Sequence, residues 1–157
     1  MNTAQEGRTI LVKTGGIRNE DISYQLVKAS QIDEHPNCLK VQLFGLSGGN
    51  PIGEFFSNAP VAEGEWVHVA VTYDGSNVKF YYNGILDGSI PASGALTIDS
   101  GDLGIGRCSL WHNQGFDGMI DDIRIYNTAL TPQEIAAIAK NSSLPETGQG
   151  IKIEELE

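Results

Sequence analysis

Two adjacent carboxylates, Asp121 and Asp122, sit inside the alternating stretch Met119 to Tyr126. Acidic residues are where this sequence would first have to show catalysis. Glycoside hydrolysis needs two carboxylates flanking one glycosidic bond, one as acid and one as nucleophile or base. On a strand that requires even spacing, because neighbours point to opposite faces. Asp121 and Asp122 are consecutive and so diverge. The other acidic group, Glu154-Glu155-Leu156-Glu157, lies in the C-terminal tail. The chain has no His-Glu-x-x-His, no Gly-x-Ser-x-Gly and no phosphate-binding loop. Gly101-Asp102-Leu103-Gly104-Ile105-Gly106 is too tightly spaced for a dinucleotide fingerprint and has no helix after it. No catalytic residue is assigned.

Asp121 shares its face with Met119, Ile123 and Ile125. A carboxylate buried there alone would cost several kcal/mol, so it needs backbone amides, a cationic side chain or a metal. A Ca²⁺ ion takes about six to eight oxygens, of which one aspartate supplies two at most. Asp122 and Arg124 lie two apart on the opposite face and can pair, a contact worth little on a surface. His68 stands beside Trp66 and Ala70, a packing environment with no coupled Ser or Cys nucleophile. Recognition is better served by the loop Arg107 to Gly115, which holds Trp111, His112 and Asn113. An aromatic ring with amide and imidazole neighbours can stack on a sugar and bond its hydroxyls. The plainer alternative is that Trp111 caps the edge of the fold. Leu144-Pro145-Glu146-Thr147-Gly148 matches a sortase signal, but no apolar span or basic end follows it, and coincidence is the better reading.

The elements that must position these residues are strands. The chain has 157 residues, enough for one domain. Its 19 glycines and its charged fraction of 19% argue against disorder and coiled coil and for strands joined by tight turns. With 10 basic and 20 acidic side chains the formal charge is −10, which disfavours nucleic acid and anionic membranes as partners. No run approaches the roughly 20 apolar residues of a membrane span, so no membrane insertion is expected. Met1 to Gly7 carries no apolar signal region. Strands are predicted at Thr9–Lys13, Ile22–Lys28, Cys38–Phe44, Ile52–Ser57, Trp66–Tyr73, Val78–Tyr82, Ile85–Ile90, Leu103–Arg107 and Met119–Tyr126. Gly45 to Asn50 reads as a turn cluster. Both faces of Trp66–Tyr73 are largely apolar, which predicts a central strand covered on both sides. Asp74-Gly75 and Asn83-Gly84 predict two successive hairpins. Thr131-Pro132-Gln133-Glu134 is a capping box with Pro at the first helical position, opening one short helix that ends before Pro145. Cys38 and Cys108 can be a bridge or two thiols; one pair does not decide.

Several segments together resemble the laminin G-like jelly-roll domains of the concanavalin A-like lectin/glucanase superfamily. They are Gly64-Glu65-Trp66-Val67-His68-Val69-Ala70-Val71-Thr72-Tyr73-Asp74-Gly75, Val78-Lys79-Phe80-Tyr81-Tyr82-Asn83-Gly84, Leu103-Gly104-Ile105-Gly106-Arg107, Phe116-Asp117-Gly118-Met119-Ile120-Asp121-Asp122-Ile123-Arg124-Ile125-Tyr126-Asn127 and Ala129-Leu130-Thr131. The resemblance implies an all-β antiparallel sandwich of jelly-roll type with one short C-terminal helix. It places the domain at residues 1–141, with 142–157 as linker or tail. Family domains begin with further strands that have no counterpart here, so the sandwich is expected to be N-terminally incomplete and either rearranged or unstable alone. The implied function is a non-catalytic recognition module, binding a glycan or an extracellular protein, in adhesion. It would work extracellularly or at the cell surface, beside other domains of one parent chain. Trp111, His112 and Asn113 are its candidate ligand-binding residues. Family members often hold structural Ca²⁺ with the aspartate matched by Asp121, here without the oxygens of the earlier strands. The alternatives are a structural spacer or an accessory domain of a glycoside hydrolase with no ligand of its own, and a glycoside hydrolase.

Overall fold

A computed structural model describes residues 7–15, 22–49, 53–107 and 115–141. Among the described residues nine strands are followed by one helix: β1 Arg8–Thr14, β2 Ile22–Lys28, β3 Cys38–Leu43, β4 Leu46–Gly48, β5 Glu54–Pro60, β6 Val69–Tyr73, β7 Asn77–Tyr82, β8 Ile85–Gly94, β9 Asp102–Ile105 and α1 Pro132–Asn141. They form a five-stranded sheet in the order β5-β3-β2-β1-β9 and a four-stranded sheet in the order β4-β8-β7-β6. The pairings within both sheets are antiparallel. This is the all-β antiparallel sandwich that the resemblance implies.

The turns that build the meander β6-β7-β8 behave as their residues require. Asp74 accepts the backbone N–H groups of Ser76 and Asn77 on one carboxylate oxygen, at 3.0 and 2.8 Å, and its other oxygen pairs with Lys79 at 2.6 Å. Those bonds hold the Asp74 carboxyl down at about 2. Asn83 and Gly84 have φ of 50° and 79°, the left-handed pair of a tight hairpin. α1 opens on its capping box: the Thr131 N–H donates to Glu134 at 2.7 Å, and the Glu134 N–H donates back to the Thr131 hydroxyl at 3.3 Å. Ile135, 1% exposed, is the residue that fixes the helix to the sandwich.

The core lies between the sheets. Leu39, Val41 and Leu43 of β3 and Phe55 of β5 meet Val78 and Phe80 of β7 and Ala92 of β8. One polar knot crosses it. The Leu39 N–H donates to the Ser57 hydroxyl at 2.9 Å, Ser57 and Tyr82 share a 2.8 Å bond, and the Tyr82 hydroxyl reaches the Ala59 carbonyl at 3.1 Å. Every polar atom of this knot is satisfied, so burial does not penalise it. At one rim the Asp87 carboxylate of β8 accepts the N–H groups of Asn58 and Ala59 of β5, at 2.6 and 3.1 Å. Cys38 is a buried free thiol, and burial pushes its pKa up. Cys108 lies outside the described residues.

Three local expectations change. Met119–Tyr126 is not a strand, although it alternates. Alternation gives a segment two faces but no neighbour, and a strand exists only through the neighbour it bonds. Met119 is left 73% exposed and Ile125 52%. Trp66–Tyr73 shortens to Val69–Tyr73, and among the described residues β6 is an edge rather than a central strand, paired with β7 alone. Leu46–Gly48, read as turn, forms the short strand β4 because it pairs with Ala92–Gly94 of β8.

Candidate functional site

The region around the predicted ligand loop is built from the end of β9. This strand pairs with Leu11–Thr14 of β1 and stops at Ile105. Gly106 then turns with φ of 67°. Its N–H donates to the Ile10 carbonyl at 2.9 Å, and its own carbonyl accepts the Phe116 N–H at 2.8 Å. Gly106 and Phe116 are therefore held together at one pinned point on the sandwich. Trp111, His112 and Asn113 belong to that loop and lie outside the described residues.

Behind the pinned point is a cavity of about 210 Å³ lined by Ile105, Gly106, Phe116, Ile120, Asp121 and Ile123. The structure thus brings Asp121 to the base of the loop that carries the predicted ligand residues. One Asp121 carboxylate oxygen accepts the Asp122 N–H at 2.8 Å. Asp122 itself adopts φ of 51°, and its carboxylate accepts from Nε and Nη2 of Arg124, at 3.0 and 3.1 Å. Asp121 lines the cavity while Asp122 is committed to Arg124. The pairing of Asp122 with Arg124 follows the two-residue spacing; the cavity has no signature in the sequence. The walls around Asp121 are apolar, and no group of three His, Cys, Asp or Glu side chains gathers among the described residues. These residues do not by themselves supply a Ca²⁺ shell.

His68 enters β6 beside the second hairpin. Its N–H donates to the Asn83 side-chain oxygen at 2.9 Å and its carbonyl accepts the Asn83 N–H at 2.8 Å. The Nδ1 atom is buried with no hydrogen-bond partner among the described residues. Burial lowers the imidazole pKa below 6.5; Asp122 opposes this and Arg124 reinforces it. The sign follows directly. The unfolded chain takes the proton first as pH falls from 6.5, so stability drops from there until the folded imidazole also titrates. Replacing His68 with Gln is expected to flatten that part of the profile. Urea midpoints at intervals between about pH 7.5 and pH 5 test it, and an unchanged difference between the two proteins across that range refutes it.

The family model described as the concanavalin A-like lectin/glucanases superfamily, of laminin G-like type, matches residues 3–136. The chain belongs to this superfamily. A lectin/glucanase-superfamily sandwich agrees with the two antiparallel sheets and single short helix described above. Among solved structures, the chain is similar to residues 221–444 of an S-layer domain-containing protein from Clostridium thermocellum ATCC 27405, at 25% identity and a TM-score of 0.42. That similarity covers 88% of this chain and 65% of the other. No curated protein matches the chain. Within the superfamily fold, the pinned loop base and the Asn83 brace on His68 are features that spacing alone does not reveal. The signals for them were the glycine directly after β9 and the Asn-Gly pair after β7.

Proposed function

We propose that this superfamily member is a non-catalytic recognition module of a larger extracellular protein, and that it binds a glycan through the loop containing Trp111, His112 and Asn113. The observation that carries the reading is the 2.8 Å bond from the Phe116 N–H to the Gly106 carbonyl, which closes the base of this loop on the sandwich. A loop tethered on a rigid scaffold holds its side chains with less entropy to lose on binding. Its residue types suit a sugar: one ring to stack, with an imidazole and an amide to bond hydroxyls. The divergence of Asp121 from the Arg124-bound Asp122 supports a binding rather than a hydrolytic role, since two carboxylates must face one bond.

A glycan array with the full chain tests the proposal. Trp111→Ala is expected to weaken every positive signal by about tenfold or more, equivalent to ~1.4 kcal/mol, with the thermal midpoint unchanged. Asn113→Ala should weaken a subset. Signals indifferent to both substitutions, or reducing-sugar release abolished by one carboxylate change, would refute the assignment.

A further inference from the structure

The two sheets differ in width. β5 lies against β8, where Asp87 binds the Asn58 and Ala59 amides. Next to that pair, Leu39, Val41 and Leu43 of β3 pack with Val78 and Phe80 of β7, and Tyr24 and Leu26 of β2 and Val69 and Val71 of β6 pack on the same cluster. Among the described strands, β1 and β9 then have no strand of the four-stranded sheet opposite them. Residues 116–123 cover β9 instead, without pairing as a strand, and they leave the 210 Å³ cavity against Ile105 and Gly106.

The edge that borders this gap is fit to accept a neighbour. β6 reads Val69-Ala70-Val71-Thr72-Tyr73, with no charge and no proline. It pairs with β7 from Val69↔Tyr82 to Tyr73↔Val78 without a bulge. Edge strands are usually blunted by Lys, Pro or a bulge; β6 has none of these. Val69, Val71 and Tyr73 pack on the core yet remain only partly buried. Charge adds a further requirement. Asp121 has no ion-pair partner among the described residues, and the nearby Arg124 is held by Asp122.

We propose that the gap between the β6 edge and residues 116–123 receives one extended strand from a partner polypeptide, apolar at alternate positions and carrying a Lys or Arg for Asp121. The added strand continues the four-stranded sheet by one spacing of about 4.8 Å, bonds the free side of β6 and fills the cavity with its inward side chains. Its cation turns a lone carboxylate on an apolar wall into a charge-assisted pair.

Hydrogen exchange on the full chain tests this, with a synthetic peptide of alternating Val and Thr bearing one central Lys, solubilised by terminal Ser-Gly pairs. The peptide is expected to slow exchange of the β6 amides that do not bond β7 by about tenfold or more. A peptide with Glu in place of Lys should bind several-fold more weakly, and Asp121→Asn should remove that preference while keeping β6 protection. Val71→Pro, which removes an amide that faces away from β7 without touching Asp121, should abolish protection; a circular dichroism melt confirms that this variant is folded, and Val69→Pro serves if it is not. Equal protection by a peptide with Pro at alternate positions would overturn the proposal. So would no protection at millimolar peptide, or β6 protected without peptide in a sedimenting dimer, which would give the edge to a second copy. Ca²⁺ alone erasing the Lys preference would give Asp121 to a metal and overturn the proposed pair.

Discussion

Phe80→Ala is expected to unfold the protein at a much lower urea concentration. Phe80 is fully buried at the centre of β7, between β3 and β5 of one sheet and β8 of the other. Removing a buried phenyl ring costs about 3–5 kcal/mol, part from lost transfer energy and part from the cavity left behind. Whole domains are stable by only about 5–15 kcal/mol. Phe80→Leu keeps most of the volume and should cost about 1 kcal/mol. Urea unfolding followed by tryptophan fluorescence measures both. A loss under ~1 kcal/mol for the alanine variant would mean that the sheets are not held together across β7.

How much of this was legible beforehand can be argued from three places. The β6-β7-β8 meander was, because Asp74-Gly75 and Asn83-Gly84 fix turn geometry locally and need no knowledge of distant chain. The helix was too: Thr131, Pro132 and Glu134 are a self-contained start signal, and the structure makes both reciprocal bonds. Met119–Tyr126 was not. Its alternation is as regular as that of β2, but β2 lies between β1 and β3 while residues 119–126 bond no strand among the described residues. Pairing is a long-range property, and periodicity contains no information about it. The same limit hid the site. Asp121 reads as a carboxylate in a row with Met119, Ile123 and Ile125, but Met119 and Ile125 are exposed and its apolar surroundings are Ile105, Phe116, Ile120 and Ile123. That it lines a cavity at the base of the Trp111 loop depends on the Gly106–Phe116 bond, a contact made only once β9 is docked on β1. His68 looked like a packed strand residue; its unpartnered Nδ1 is visible only when β6 is seen to be an edge.

Gly84→Val is expected to detach α1 while sparing the core. Gly84 has φ of 79°, in the left-handed region where a β-branched side chain is strained. A Cβ at this position would sit 2.9 Å from the Ala136 Cα and 3.1 Å from the Ala139 Cβ, against the helix itself. The near neighbour is backbone, which cannot swing aside as a long side chain would. Two penalties therefore coincide at one residue: about 1–3 kcal/mol for the backbone conformation, and the displacement of the helix that packs there. Ile135, 1% exposed, would be pulled from its seat as α1 moves. The β7-β8 ladder should persist, because its register from Asn77↔Pro91 to Tyr82↔Ile85 does not pass through the helix. Amide exchange separates the two consequences. Residues of α1 should lose protection by about a hundredfold, the exchange equivalent of ~2.7 kcal/mol, while the amides of Val78 and Phe80 change far less. Gly84→Asn, which tolerates positive φ but still adds a Cβ, divides the penalties: it should recover the turn term and keep the helix term. Uniform loss of protection across the sandwich would instead mean that α1 is an integral part of the cooperative fold.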